Sequence, residues 1–114
     1  MERLHIYNNM KNGCYDIVDI KENVLYRIDN KQLYIRKRIN KASYVYDIIS
    51  YNTTVGYIII KIDNNENIKH IQYNYTGYKY SKTTTSHVNY VNRIVHYLGL
   101  LSGCKVDTEV CVEF

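Results

Sequence analysis

The residue types best suited to chemistry gather in two polar runs. Ser50-Tyr51-Asn52-Thr53-Thr54 leads into Val55-Gly56-Tyr57-Ile58, and Tyr80-Ser81-Lys82-Thr83-Thr84-Thr85-Ser86 leads into His87-Val88-Asn89. A histidine among serines and threonines is the raw material of nucleophilic catalysis, in which the ring takes a hydroxyl proton and an acid orients the ring. That acid is missing nearby, since no Asp or Glu stands between Glu66 and Asp107. The sequence therefore assigns no catalytic residue. It reads His87 as a partly buried imidazole bonded to strand groups such as those of Ser50 or Asn52, or as a contact for a ligand or partner. The hydroxyl-rich run with Lys82 beside it also has the donors and the charge to hold an anion such as phosphate.

Metal and nuclease chemistry fare worse. His87 and His96 are nine residues apart, half a rotation on a helix, so they face opposite ways. His5 and His70 have no second ligand at a useful spacing, and Cys14, Cys104 and Cys111 form no CxxC. The expectation is no metal, no cofactor and no disulfide scaffold, in a reduced compartment. Asp16, Asp19 and Lys21 resemble the carboxylates and ammonium of a metal-dependent nuclease strand. Their odd Asp–Asp spacing puts the two carboxylates on opposite faces, which favours solvated strand charges.

The elements that must position these residues follow from periodicity. Cys14–Ile20 alternates like a strand, and Asn23–Ile28 with Gln32–Arg36 flank the turn Asp29-Asn30-Lys31. Tyr44–Ser50 and Val55–Ile62 flank Tyr51–Thr54, a further strand spans Asn67–Tyr75, and Gly77 breaks the ladder before Tyr78–Tyr80. The period then changes. Val88, Val91, Val95 and Leu98 make one apolar stripe, so a helix is expected over Thr85–Leu98, capped by the preceding hydroxyls and stopped by Gly99 or Gly103. Val106, Thr108, Val110, Val112 and Phe114 alternate with Asp107, Glu109, Cys111 and Glu113 as a closing strand with an apolar inner face. The fold class is α+β: a curved antiparallel β-sheet with one amphipathic helix on one face and a C-terminal strand. A chain of 114 residues is expected to be one domain, 1–114.

Charge and aromatic content point to recognition. Lys31, Arg36, Lys37, Arg38 and Lys41 place five bases in eleven residues without an acid. Lys69, Lys79, Lys82 and Arg93 follow in the acid-free stretch after Glu66, and tyrosines at 34, 44, 46, 73, 75, 78 and 80 interleave with these bases. Bases flanking aromatic platforms suit single-stranded RNA or DNA, and they equally suit an acidic protein groove. The chain has fourteen tyrosines, one phenylalanine and no tryptophan. Asn, Ile, Lys and Tyr all have AT-rich codons, so genome composition accounts for much of this bias, while tyrosine remains a stiff amphipathic contact residue. The expected contact residues are Tyr34, Arg36, Lys37, Arg38, Tyr78, Lys82 and His87. No apolar run approaches a membrane span and the first residues carry no secretion signal, so a cytoplasmic protein is expected.

The Ser-Tyr-Asn-Thr strand at 50–53, followed by a Tyr-Ser-x-Thr-Thr-x-x-His-Val-Asn run that opens a helix, resembles an uncharacterised family of small proteins carried by phages and other mobile elements. The similarity covers Tyr46 to Leu98, and three successive threonines, Thr83-Thr84-Thr85, leave the register of the threonine pair open. The resemblance implies origin, not mechanism: a phage or plasmid product, a setting rich in inhibitors of host defence. The expectation is a non-enzymatic, anti-CRISPR-like binding protein that occludes a host defence effector or its nucleoprotein complex in the host cell. An RNA- or single-stranded-DNA-binding module is the alternative, and a homodimer through an exposed sheet edge is a third possibility.

Overall fold

β-branched and tyrosine-rich runs form strands because their side chains pack well on a pleated surface. The computed structural model describes residues 6–9, 14–17, 25–27, 32–40, 43–65, 67–78 and 80–111. Strands β1 (Ile6–Asn9) and β2 (Cys14–Ile17) pair antiparallel as a two-stranded sheet. The main sheet runs β3 (Leu25–Arg27), β4 (Leu33–Asn40), β5 (Ser43–Ser50), β6 (Thr53–Ile62), β7 (Ile68–Thr76) and β8 (Lys105–Cys111), in that order. Helix α1 (Lys82–Ser102) connects β7 to β8. The α+β class holds, and so does the hairpin of β3 with β4, whose turn residues lie outside the described ones, as do 18–20 and 112–114.

Several expectations change. β8 runs parallel to β7, so the sheet is mixed, because a helix inserted between two neighbouring strands carries the chain back to the starting end. The helix is longer than 85–98 at both ends. It starts after Ser81, whose Oγ accepts from the Thr84 N–H at 3.1 Å, and ends at Gly103, whose φ of 63° is the left-handed conformation glycine adopts freely. Gly99 does not stop it. That residue stays helical and lies against Val106, where an added Cβ would run into Val106 Cγ2. The ladder does break at Gly77, and Tyr78 and Tyr80 lie in an irregular lead-in to the helix.

Register sorts the strand residues onto two faces. Ile35, Ile48, Gly56, Tyr75 and Val110 align across the sheet on the helix side, as do Tyr46, Ile58, Tyr73 and Thr108. Leu33, Ile35, Tyr46, Ile48, Ile58, Ile60, Ile71 and Tyr73 pack there with Val88, Val91, Ile94, Val95 and Leu98 of α1. The Tyr73 hydroxyl donates to the Val88 carbonyl at 3.2 Å, and burial pushes its pKa far up. The inner face expected for the last strand is only partly covered. Val106 packs against the core, but Val110 is 57 % exposed near the open edge.

The β5–β6 hairpin is tighter than the four-residue connection expected. Its turn is Tyr51-Asn52, and Ser50 pairs with Thr53. A bulge follows, because Ile49 pairs with Thr54 and Ile48 with Gly56, so Val55 is the extra residue and is buried in the core. Beyond it a Cβ at Gly56 would lie 2.8 Å from the Asn74 carbonyl oxygen and 3.1 Å from the Tyr73 ring. Gly56→Ala is therefore expected to destabilise the fold by about 1–3 kcal/mol, the usual cost of overpacking, read as a lower midpoint in urea denaturation.

The next turn is held by one carboxylate. Asp63 Oδ1 accepts from the N–H groups of Asn65 and Asn67, both at 2.9 Å, and Lys69 lies 3.5 Å from its other oxygen. The Asn67 bond leads in holding its pKa below the ordinary 3.8. A depressed folded pKa stabilises the folded state above the ordinary value, and that contribution fades as pH falls through the folded one. Asp63→Ala is thus expected to cost stability at pH 7, and the gap to the wild type should narrow in denaturation curves taken below pH 3.8.

Candidate functional site

The two polar runs of the sequence meet in space. Ser50 ends β5 on the helix side of the sheet, and the first turns of α1 lie over it. Ser50 Oγ is 2.7 Å from His87 Nδ1 and 3.1 Å from Thr84 Oγ1. Ser81 Oγ donates to Thr84 Oγ1 at 3.2 Å and accepts the backbone N–H of the same residue. With the imidazole neutral, each hydroxyl gives one proton along a single line: Ser81 to Thr84, Thr84 to Ser50, Ser50 to Nδ1. Of the three threonines, it is Thr84 that enters the network, as the residue in the first turn that both bonds the cap and faces the sheet.

Tyr51 closes the top of this node. Its φ is 57°, a sparsely populated conformation for a bulky residue, and its N–H donates to the Gln32 carbonyl at 2.7 Å. Its ring centroid lies 6.0 Å from that of His87. The motif residues thus have distinct physical tasks. Ser50 bonds the helix, Tyr51 covers the imidazole and turns the chain, Val55 fills the core, and Gly56 admits the next strand.

The node is sealed. His87 is 1 % exposed and Ser50 2 %, so no substrate carbonyl or phosphate reaches the pair of atoms that would form a nucleophile and its base. The Ser50 contact is the one that the sequence suggested for a partly buried imidazole.

The expected basic contact cluster is taken apart by strand alternation. Arg36 and Arg38 lie on the sheet face away from the helix, and both bind Asp47 of β5. Arg36 Nη2 is 3.2 Å from Asp47 Oδ2, and Arg38 Nε is 2.8 Å from the same oxygen. The run looked acid-free because its acid comes from the neighbouring strand. Lys37 points the other way, is only 5 % exposed and sets its Nζ 4.5 Å from the centroid of the Tyr44 ring. Tyr34 shares the Arg36 face and donates its hydroxyl to Gln32 Oε1 at 2.9 Å.

A different group of residues is exposed together. Tyr78 is 65 % exposed, and its ring lies 4.6 Å from that of Tyr80, just before Lys82. Lys82 then lines an open cleft of about 620 Å³ with Ser81, Thr85, Ser86, Asn89 and Arg93. Helix α1 contains no carboxylate, so the charges on this cleft are the cations of Lys82 and Arg93. Of the expected contact residues, Tyr78 is exposed beside Tyr80 and Lys82 is exposed in the cleft. Tyr80 and Arg93 were legible only as members of the acid-free stretch, because their grouping depends on the helix and its lead-in. Among the described residues no three His, Cys, Asp or Glu side chains converge as metal ligands.

Comparison with family models, with curated proteins and with solved structures finds no match to this chain.

If Ser50 and His87 join the hairpin to the helix as one unit, their losses must be coupled. Ser50→Ala and His87→Ala are expected to destabilise less in combination than the sum of the singles, by about 1 kcal/mol, in a double-mutant cycle followed by denaturation. His87→Asn, with an oxygen to accept from Ser50, should lose less than His87→Ala.

Proposed function

We propose that this chain is a non-enzymatic binding protein of a phage or other mobile element, which inhibits a host defence system by covering a surface of one of its effectors. The observation that carries the binding reading is the contrast between the two polar groups. The hydroxyl–imidazole set that resembles reaction chemistry is buried and spent on joining elements. The exposed set, Tyr78, Tyr80, Lys82 and Arg93, combines stiff aromatic rings with fixed positive charge, the composition of an interface anchor. The mobile-element setting rests on the Ser-Tyr-Asn-Thr and Thr-Thr-x-x-His resemblance, and it places the site of action in the host cytoplasm, where such effectors work.

A second reading has its own support. Paired rings next to Lys82 on a carboxylate-free helix also suit a single strand of RNA or DNA, with bases on the rings and phosphates on the cations. The two separate by salt. Nucleic-acid affinity falls steeply as salt rises, in proportion to the phosphates neutralised.

Expression of the chain in bacteria that each carry one nuclease-based defence system should raise phage plating efficiency by orders of magnitude in at least one of them. Tyr78→Ala combined with Lys82→Glu should abolish that rescue without loss of fold, while a variant of the Arg36–Asp47–Arg38 group should retain it. Rescue by the double variant, or binding to an oligonucleotide that disappears at moderate salt with no rescue at all, would decide against the inhibitor reading.

A further inference from the structure

Pairing within the fold consumes most of the positive charge on the described residues. Arg36 and Arg38 share Asp47, Lys69 lies against Asp63, and Lys105 lies against Asp107. Lys37 is buried over the Tyr44 ring. Lys61 is exposed, but its neighbour Ile60 points into the core, so Lys61 lies on the sheet face away from the helix. Lys82 and Arg93 differ from all of these. Both are exposed, both line the same cleft of about 620 Å³, and among the described residues neither has a carboxylate within ion-pair reach. Thr85, Ser86 and Asn89 stand between them at helical spacing, so the lining forms one straight stripe. Eleven residues of helix separate the two cations by about 16 Å along the axis. The Arg93 guanidinium lies 5.9 Å from the centre of the Tyr90 ring, a contact that limits how the planar group can swing.

On the premise of the binding reading above, we infer that this cleft takes an acidic polypeptide segment of the partner, laid along α1 with one carboxylate on Lys82 and another on Arg93. Two unopposed cations without an acid on their helix select an anionic occupant by charge complementarity. Their spacing suits a polypeptide. An extended chain advances ~3.3–3.6 Å per residue, so about five residues carry it from one cation to the other. The hydroxyls of Thr85 and Ser86 and the amide of Asn89 can both donate and accept, which matches a peptide backbone carrying N–H and C=O groups in turn. Phosphodiester oxygens only accept. Charge count also disfavours a nucleic acid here, because two cations neutralise two phosphates, whereas a protein that grips the backbone commonly engages ~6–10. Tyr80, half exposed just ahead of Ser81 at the start of the cleft, supplies a ring for a flanking apolar side chain.

Fluorescence anisotropy at low salt tests this with three labelled probes. One is a capped nine-residue peptide with two glutamates at each end and serine and glycine between, the second is the same peptide with glutamines, and the third is a short oligothymidylate of equal charge. The glutamate peptide should bind, and the other two should bind about tenfold more weakly or worse. Lys82→Glu and Arg93→Glu should each weaken the glutamate peptide several-fold, and together by more than about tenfold. Lys61→Glu, the same charge change on the far sheet face, should leave it unchanged. All three positions are exposed, so these changes spare the fold. An oligothymidylate that binds as tightly as the peptide, and is lost in the same variants, would overturn the polypeptide occupant. No binding of the glutamate peptide, equal binding of the glutamine peptide, or indifference to both charge reversals would overturn the site. Phage rescue separates this inference from the inhibitor reading. Rescue that survives Lys82→Glu with Arg93→Glu overturns the cleft alone, and peptide binding with no rescue in any host overturns the inhibitor reading alone.

Discussion

The β5–β6 hairpin and the first turn of α1 are held to one another by a short polar chain, Ser81 to Thr84 to Ser50 to His87. This chain governs much else in the molecule. A helix packed on a sheet through apolar side chains alone is free to slide or rotate, since hydrophobic contact has no direction. Hydrogen bonds in a water-excluded site do have direction, and leaving one unmade there costs more than making it gains. The apolar stripe of α1 therefore supplies adhesion, and the Ser50 node supplies register.

Several oddities of the local sequence answer to that node. Tyr51 tolerates a left-handed backbone because the strand ends there and its ring has His87 to rest against. The bulge at Val55 restores the inward alternation that the tight turn would otherwise lose, and Gly56 lets β7 come close just beyond it. The same placement removes the histidine from solvent. What looked like a reactive constellation is a buried tie between two elements, whereas Tyr78, Tyr80, Lys82 and Arg93 stay exposed.

The opposite sheet face illustrates how strand pairing redistributes charge. Arg36 and Arg38 share a carboxylate from the adjacent strand, and Lys37 between them is carried to the other side and covers an aromatic ring. Three consecutive bases thus present no common patch. Asp107 and His70 repeat the pattern at the far end of the sheet, where the His70 hydrogen bond leads in lowering the Asp107 pKa.

Local periodicity sufficed for the strands β4 to β7, an amphipathic helix and the α+β class, because each is encoded by neighbours within one or two turns of chain, whereas the two-residue turn at Tyr51-Asn52 was read as four residues. The stripe of Val88, Val91, Val95 and Leu98 is such a signal, and so is the pairing of hydroxyls with a helix start. The direction of β8, the residence of Gly99 inside the helix and the partial exposure of Val110 were not legible, since each depends on where the helix returns the chain. Nor was the Asp47 that binds Arg36 and Arg38, because register across strands is a long-range property. The sequence by itself determined the strand or helix character of most segments, though not β1 or the ends of α1, and which residues were chemically capable. Only the tertiary structure decided which of those residues are sealed inside and which face outward, because burial is set by the elements that pack together and not by the residues next in line.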